Sequence, residues 1–313
     1  MNRLTEYMLP PARSVTAENT DALFHFINVT SVILLLGITA AILYFSWKYR
    51  RRSEDDVTPV ISHNNKLEIT WSVIPLILVM IVFGWGFSGY MDLRTVPSDA
   101  YEVKVIGKSW LWEFHYNTGH VSVNELHVPV DRPVKLVMRS DDVLHSFFVP
   151  DYRVKMDVLP NRYTSLWFQA TETGESIVYC TEYCGTAHSN MLASVIVHSQ
   201  EDFETWLETA GSADDDMDPV ELGEQLVTRY ACNTCHSSDG RQLSGPTFQG
   251  LWMSERTMVD GEVVTADENY IRESILEPNA RITEGYDPVM PSFAGSLSDR
   301  QIDAIIEYIK TLD

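Results

Sequence analysis

Cys180-Thr181-Glu182-Tyr183-Cys184-Gly185-Thr186-Ala187-His188-Ser189-Asn190-Met191 gathers soft metal donors into one short stretch of this chain. Thiolate, imidazole and thioether ligands together favour copper. A mononuclear blue-copper site takes one Cys, two His and a weak Met, but here Cys184 stands four residues after Cys180. Two thiolates can bridge a pair of copper ions, each completed by one histidine. His188 is one such histidine, and His145, in Val143-Leu144-His145-Ser146-Phe147-Phe148-Val149-Pro150, is the other. Met191 and the backbone carbonyl of Glu182 then serve as weak, opposed ligands. The alternatives are a reduced dithiol, a disulfide or zinc, and zinc prefers four strong tetrahedral ligands with no use for a Met.

The residues before this stretch form short runs rich in Val, Ile, Phe, Tyr and Trp. The runs are Tyr101–Gly107, Trp110–Tyr116, Pro133–Met138, Tyr163–Gln169, Ser176–Tyr179 and Leu192–Val197. Pro129, Asp141-Asp142, Pro150, Pro160-Asn161 and Thr173-Gly174 punctuate them. Many short strands with regular breaks indicate an all-β sandwich or barrel.

His145 with Cys-x-Glu-x-Cys-Gly-x-x-His-x-x-Met resembles the binuclear CuA site of cytochrome c oxidase subunit II, and the resemblance runs from about residue 20 to 210. It implies a cupredoxin sandwich, over 97–209, whose CuA ligands are His145, Cys180, Glu182 (carbonyl), Cys184, His188 and Met191. It further implies that Trp110, first of the aromatic run Trp110-Leu111-Trp112-Glu113-Phe114, is the point of electron entry, and that Trp112 is core. The Glu182 carboxylate is implied to bind a Mg or Mn ion shared with subunit I.

Downstream, Cys232-Asn233-Thr234-Cys235-His236 is the c-type haem attachment pattern. No βαβ pattern surrounds it, and no second Cys pair remains for zinc. The flanks resemble a small class I cytochrome c, all-α, over 220–313. Gly223–Tyr230 reads as its first helix, and Gly245-Pro246 matches the proline whose carbonyl accepts from the proximal histidine. Met290, before Pro291 and Phe293, is the best distal ligand, with Met253 and Met258 as competitors. Ser298–Leu312 repeats Ile302, Ile305, Ile306 and Ile309 at helical spacing. Tyr308 matches the aromatic that packs on the first helix. His/Met ligation raises the haem potential.

Upstream, within 1–96, no Lys, Arg, Asp or Glu occurs over 22–47 or over 69–91. A helix of about 20 apolar residues crosses the hydrocarbon layer, so these segments predict a transmembrane hairpin with Trp47 and Tyr90 at its interfaces. Lys48, Arg50, Arg51 and Arg52 directly after the first span place that loop on the cytoplasmic side. Both chain ends then lie outside, and the first span is an uncleaved anchor. The resemblance adds that Glu68, three residues before Trp71, stands at the mouth of the K proton pathway; the bland reading is a carboxylate at a helix N-terminus.

Charge is uneven. The net of −21 over 313 residues excludes a generally basic nucleic-acid binder. Residues 1–96 hold 8 basic and 8 acidic residues, 97–200 hold 8 and 12, and 201–313 hold 7 and 24. The small and acidic segment 210–219 reads as a flexible linker. His25, His63, His115, His120, His127 and His198 lack metal-ligand spacing and are assigned no ligand role. No Gly-rich phosphate loop or Ser/His/Asp set occurs.

The two resemblances together imply the electron-entry subunit of a proton-pumping caa-type haem–copper oxidase in a bacterial inner membrane. Its partners are subunit I, the other oxidase subunits, the lipid and a donor, either cytochrome c or a quinol-oxidising complex. The CuA and haem c domains face the periplasm. The competing readings are a CuA-containing nitric oxide reductase subunit and a membrane-tethered electron shuttle.

Overall fold

A computed structural model describes residues 8–57, 63–210, 214 and 216–312. The two uncharged segments lie inside longer helices, α1 (Ala17–Lys48) and α2 (Asn65–Arg94). Leu35, Leu43, Ile77 and Phe83 are all exposed on them. Such a surface suits hydrocarbon or partner helices, where the helix satisfies its own backbone groups. The pair is joined at its outer end by Trp85, whose indole N–H donates to Asn19 Oδ1 at 2.7 Å. At its inner end α2 is capped reciprocally. Asn64 Oδ1 accepts from the Leu67 N–H at 3.2 Å, and Glu68 Oε1 accepts from the Asn64 N–H at 3.1 Å. Half-buried Glu68 therefore acts as a capping carboxylate in this chain.

The chain entering α1 is strapped to the next domain. Arg153 holds Asp21 through Nε at 2.8 Å and Nη2 at 2.9 Å, and also donates to the carbonyls of Pro10, Pro11 and Pro150. Asp21 and Arg153 are both close to fully buried, so neither charge is left without its partner.

Ten strands follow: β1 (Tyr101–Lys108), β2 (Leu111–His115), β3 (Val121–Val123), β4 (Glu125–Pro129), β5 (Val134–Ser140), β6 (His145–Val149), β7 (Val154–Val158), β8 (Thr164–Phe168), β9 (Gly174–Cys180) and β10 (Leu192–His198). They form two facing sheets, β3-β2-β1-β5-β8 and β4-β10-β9-β6-β7, with β1–β5 and β4–β10 parallel. Tyr101, Val103 and Val105 alternate inward along β1, as do Val134, Leu136 and Met138 along β5. The core between the sheets also takes Trp112, Phe114 and Phe147, so Trp112 is core. Sequence patterning anticipates β1, β2, β5, β8, β9 and β10, but not the other four. Asn124, at φ 57, breaks the run that carries β3 and β4. β6 lacks alternation, and β7 is an edge strand carrying Lys155 and Asp157.

Helix α3 (Gln200–Thr209) closes this domain through buried Phe203 and through Trp206. The Trp206 indole lies over His127 with ring centres 4.1 Å apart, and His127 Nδ1 is 2.8 Å from His198 Nε2. These two histidines pack and hydrogen-bond to each other.

The last domain is built on α4 (Pro219–Arg229) and α6 (Asp299–Lys310), which cross closely. A Cβ on Gly223 would stand 2.1 Å from the Ala304 carbonyl oxygen and 2.7 Å from Tyr308 Cβ, so only glycine permits the crossing. Ser298 and Gln301 form a capping box on α6, and the four isoleucines face inward. Between them lie a hairpin, β11 (Glu255–Thr257) and β12 (Val263–Thr265), and helix α5 (Glu268–Leu276). Of the acidic linker, residues 211–213 and 215 lie outside the described residues. Asp214 accepts from Gln301 Nε2 at 2.9 Å and faces Arg229 at 3.5 Å, so this part of the linker is fastened to the helical domain.

Candidate copper and haem centres

The copper ligands proposed from sequence converge at one end of the sandwich. His145 opens β6, Cys180 ends β9, and Cys184, His188 and Met191 follow in the loop to β10. β6 and β9 are neighbours, with Phe147 opposite Cys180, and this register brings His145 to the cysteines. Donor atoms of His145, Cys180 and Cys184 all lie within 4.8 Å of one another. The two sulfurs are 3.8 Å apart. His145 Nδ1 is 3.9 Å from Cys180 Sγ, and His188 Nδ1 is 3.4 Å from Cys184 Sγ. Met191 Sδ is 3.7 Å from Cys184 Sγ, and the Glu182 carbonyl is 3.4 Å from Cys180 Sγ. Each thiol therefore has one imidazole and one weak donor beside it.

The electrostatics of the thiols fit a cation. Burial raises both. Hydrogen bonds, His145 foremost, bring Cys180 below its ordinary range, whereas the Cys180 charge drives Cys184 further up. Two adjacent buried thiolates repel, and a metal charge is what holds both deprotonated. Copper held by these residues would supply one-electron redox chemistry in a site whose donors are already gathered.

One participant escaped sequence reading. Asp142 appears there only as a turn residue, yet its Oδ1 is 2.8 Å from His145 Nε2 and its Oδ2 accepts from the Ser109 N–H at 2.7 Å. A carboxylate on the distal nitrogen fixes a ligating imidazole's tautomer and orientation. The signal was its position three residues before His145. Despite the burial penalty on both groups, this pairing keeps Asp142 well below the usual carboxylate range and brings His145 up to about 8. Asp142→Asn is expected to weaken copper retention by roughly 10–100-fold, the usual scale for such supporting groups. Titration with a copper chelator measures it, and wild-type retention would show that the sandwich alone orients His145.

The haem residues line one cavity of about 1390 Å³, its open mouth included. Cys232, Cys235, His236, Pro246 and Met290 all border it, among mostly apolar walls that include Ile271 and Ile305. His236 Nδ1 is 2.7 Å from the Pro246 carbonyl, and the ring stacks on Phe248 at 4.8 Å. Burial lowers its pKa, so the ring is neutral, donates from Nδ1 and leaves Nε2 free as a ligand. A Cβ on Gly245 would stand 2.7 Å from His236 Cε1, so this glycine lets the chain pass close to the ring. Of the competing methionines, Met253 is 58% exposed and Met258 is buried in the domain core; neither borders the cavity. An apolar cavity with paired Cys, a neutral His and a Met fits a covalently held haem c.

The two centres meet. The cavity is bordered from the sandwich by Trp110, Leu111 and Ala187. The half-buried Trp110 indole donates to the Cys184 carbonyl at 3.1 Å.

The profile of the periplasmic domain of cytochrome c oxidase subunit II matches residues 119–199, that of its transmembrane domain matches 3–87, and that of cytochrome c matches 220–313. The cytochrome c oxidase subunit 2 of Alkalihalophilus pseudofirmus is 31% identical over 296 residues, covering 90% of this chain and 84% of that protein. This chain belongs to the cytochrome c oxidase subunit II family.

Other members of the family are similar over shorter spans. The alternative cytochrome c oxidase subunit 2 of Bradyrhizobium diazoefficiens is 33% identical over 215 residues, covering 58% of this chain and 78% of that protein. The subunit 2 of Synechocystis is 28% identical over 248 residues, covering 64% and 75%. As a subunit II with a fused cytochrome c domain, the chain is a component of an oxidase, fits the caa type, and is anchored by its two helices with the later domains external.

Proposed function

We propose that this chain is the electron-entry subunit of a proton-pumping haem–copper oxidase of a bacterial inner membrane. Electrons pass from an external donor through haem c to CuA, and on to haem a of subunit I for dioxygen reduction to water. Trp110 carries this reading: it borders the haem cavity and hydrogen-bonds to the backbone of a copper-ligand residue.

Six residues hold the copper pair in this reading: His145, Cys180, Glu182 through its carbonyl, Cys184, His188 and Met191. Cys232 and Cys235 attach the haem, with His236 and Met290 as its axial ligands. Buried Ala187 borders the haem cavity together with Trp110. The Glu182 carboxylate remains available for a Mg or Mn ion shared with subunit I, and Glu68 for proton entry beside its capping role. The acidity of residues 201–313 favours a basic donor, because a field of one sign raises encounter rates.

Trp110→Leu removes both the aromatic ring and the bond to Cys184. It is expected to slow reduction of CuA by haem c on the order of tenfold or more through lost positioning. Reduction of haem c by the donor and the copper content stay unchanged. Rapid-mixing kinetics on the purified complex separate these steps, and an unaltered rate at CuA would remove Trp110 from the route. The same preparation tests the class. A subunit I bearing haem a and reducing dioxygen is expected, whereas one bearing non-haem iron would assign nitric oxide reduction.

A further inference from the structure

In a sandwich strand with one face to water, residues of one parity are buried and those of the other are exposed. β2 breaks this rule. Trp112 and Phe114 fill the core, yet Leu111 and Glu113, on the opposite face, are each only 3% exposed. The covering comes from the haem domain. Leu111 and Val123 belong to the apolar cluster of that domain, packed with residues such as Leu226 and Phe293.

Polar contacts flank this apolar patch. Asn124 Nδ2 donates to the Arg229 carbonyl at 2.8 Å. Ser296, in the loop before α6, donates through Oγ to Glu113 Oε1 at 2.5 Å. Lys108 Nζ reaches both Glu113 Oε1 at 2.8 Å and Ser296 Oγ at 3.0 Å, and His115 Nε2 is 3.1 Å from Glu113 Oε2. The Ser296 carbonyl accepts from the Tyr230 hydroxyl at 2.9 Å, which ties this loop to the end of α4.

We propose that Glu113, Lys108 and Ser296 form a latch that holds the haem domain docked on the sandwich, with the mouth of the haem cavity against Trp110. Glu113 and Lys108 are positioning residues: they touch neither copper ligands nor the haem cavity. A buried carboxylate needs partners, and here two come from its own domain and one from the domain it captures. On undocking, Glu113 and Lys108 keep each other and regain water, so the latch opens without stranding a charge. Once docked, transfer between the centres needs no search by a tethered domain.

The latch rests on the route through Trp110 for its purpose, but not for its geometry, and two readouts on the intact oxidase separate them. The first is a pulsed electron-spin distance measurement between oxidised haem c and CuA. The second is the rate of CuA reduction by haem c in buffers of different viscosity. Wild type is expected to give a narrow distance distribution and a viscosity-independent rate. Ser296→Ala leaves the Glu113–Lys108 pair and the copper sandwich untouched. It is expected to broaden the distribution and to lower the rate by roughly tenfold, the scale of one hydrogen bond to a charged group, with viscosity dependence appearing. Ser296→Thr restores both readouts. Glu113→Ala gives the same phenotype, and the double variant is no worse than either single one. A Ser296→Ala oxidase with the wild-type distribution overturns the latch. A narrow distribution in wild type that broadens in Ser296→Ala, with no haem c to CuA transfer in either, keeps the latch and overturns the route.

Discussion

Cys184→Ser is expected to abolish the binuclear copper centre. Cys184 is the hub of the cluster, with Cys180 at 3.8 Å, His188 at 3.4 Å and Met191 at 3.7 Å from its sulfur. A serine hydroxyl is a harder donor and stays protonated, so it cannot bridge two copper ions as a thiolate does. Cys180 and His145 remain on the opposite side with their hydrogen bonds intact. The variant therefore retains at most one weakly held copper, loses the spectrum of a delocalised pair and loses nearly all electron delivery to subunit I. Metal analysis and electron-spin resonance check the first two outcomes, and turnover checks the third. The fold survives, because serine keeps the shape of cysteine and the rest of the sandwich core, with Trp112, Phe114 and Phe147, is unchanged. A variant with full copper and an unchanged spectrum would remove Cys184 from the ligand set.

Met290→Ala is expected to lower the reduction potential of haem c and to open its sixth coordination position. Axial ligation commands a range of about 0.8 V in haem proteins, and a thioether opposite histidine lies toward the upper part. Neither competing methionine is placed to replace it. Met253 points out to solvent, and Met258 is fixed in the core, its N–H donating to the Glu262 carbonyl at 2.8 Å. The haem stays attached through Cys232 and Cys235, so the change appears as a downward shift in a redox titration and as new binding of carbon monoxide. Electron flow from a high-potential donor falls accordingly. An unchanged potential would reassign the distal ligand.

On the proposed route the two variants act on opposite sides of Trp110, and their expected kinetic signatures differ. Loss of Cys184 leaves haem c reducible but strands its electron. Loss of Met290 leaves CuA intact but starves it. Stopped-flow reduction of the intact complex distinguishes them in one experiment.

Much of this protein is legible along the chain because its chemistry is carried by closely spaced residues. Cys180 to Met191 and Cys232 to His236 point to copper and haem by ligand type and interval. The uncharged spans announce a membrane hairpin because hydrocarbon tolerates few charges. The isoleucines of α6 announce its buried face through helical periodicity. What folding alone decided depends on distant segments. β6 shows no alternation and becomes recognisable as a strand when β7 and β9 pair with it. Asp142 is a turn residue until His145 and Ser109 close on it. Along the chain Glu113 is only one member of the aromatic run that starts at Trp110. Only the haem domain, arriving from 183 residues further along, makes it a buried charge with Ser296 as partner. Ligand identity is a local property of the chain. Burial is a property of whatever else has come to cover it.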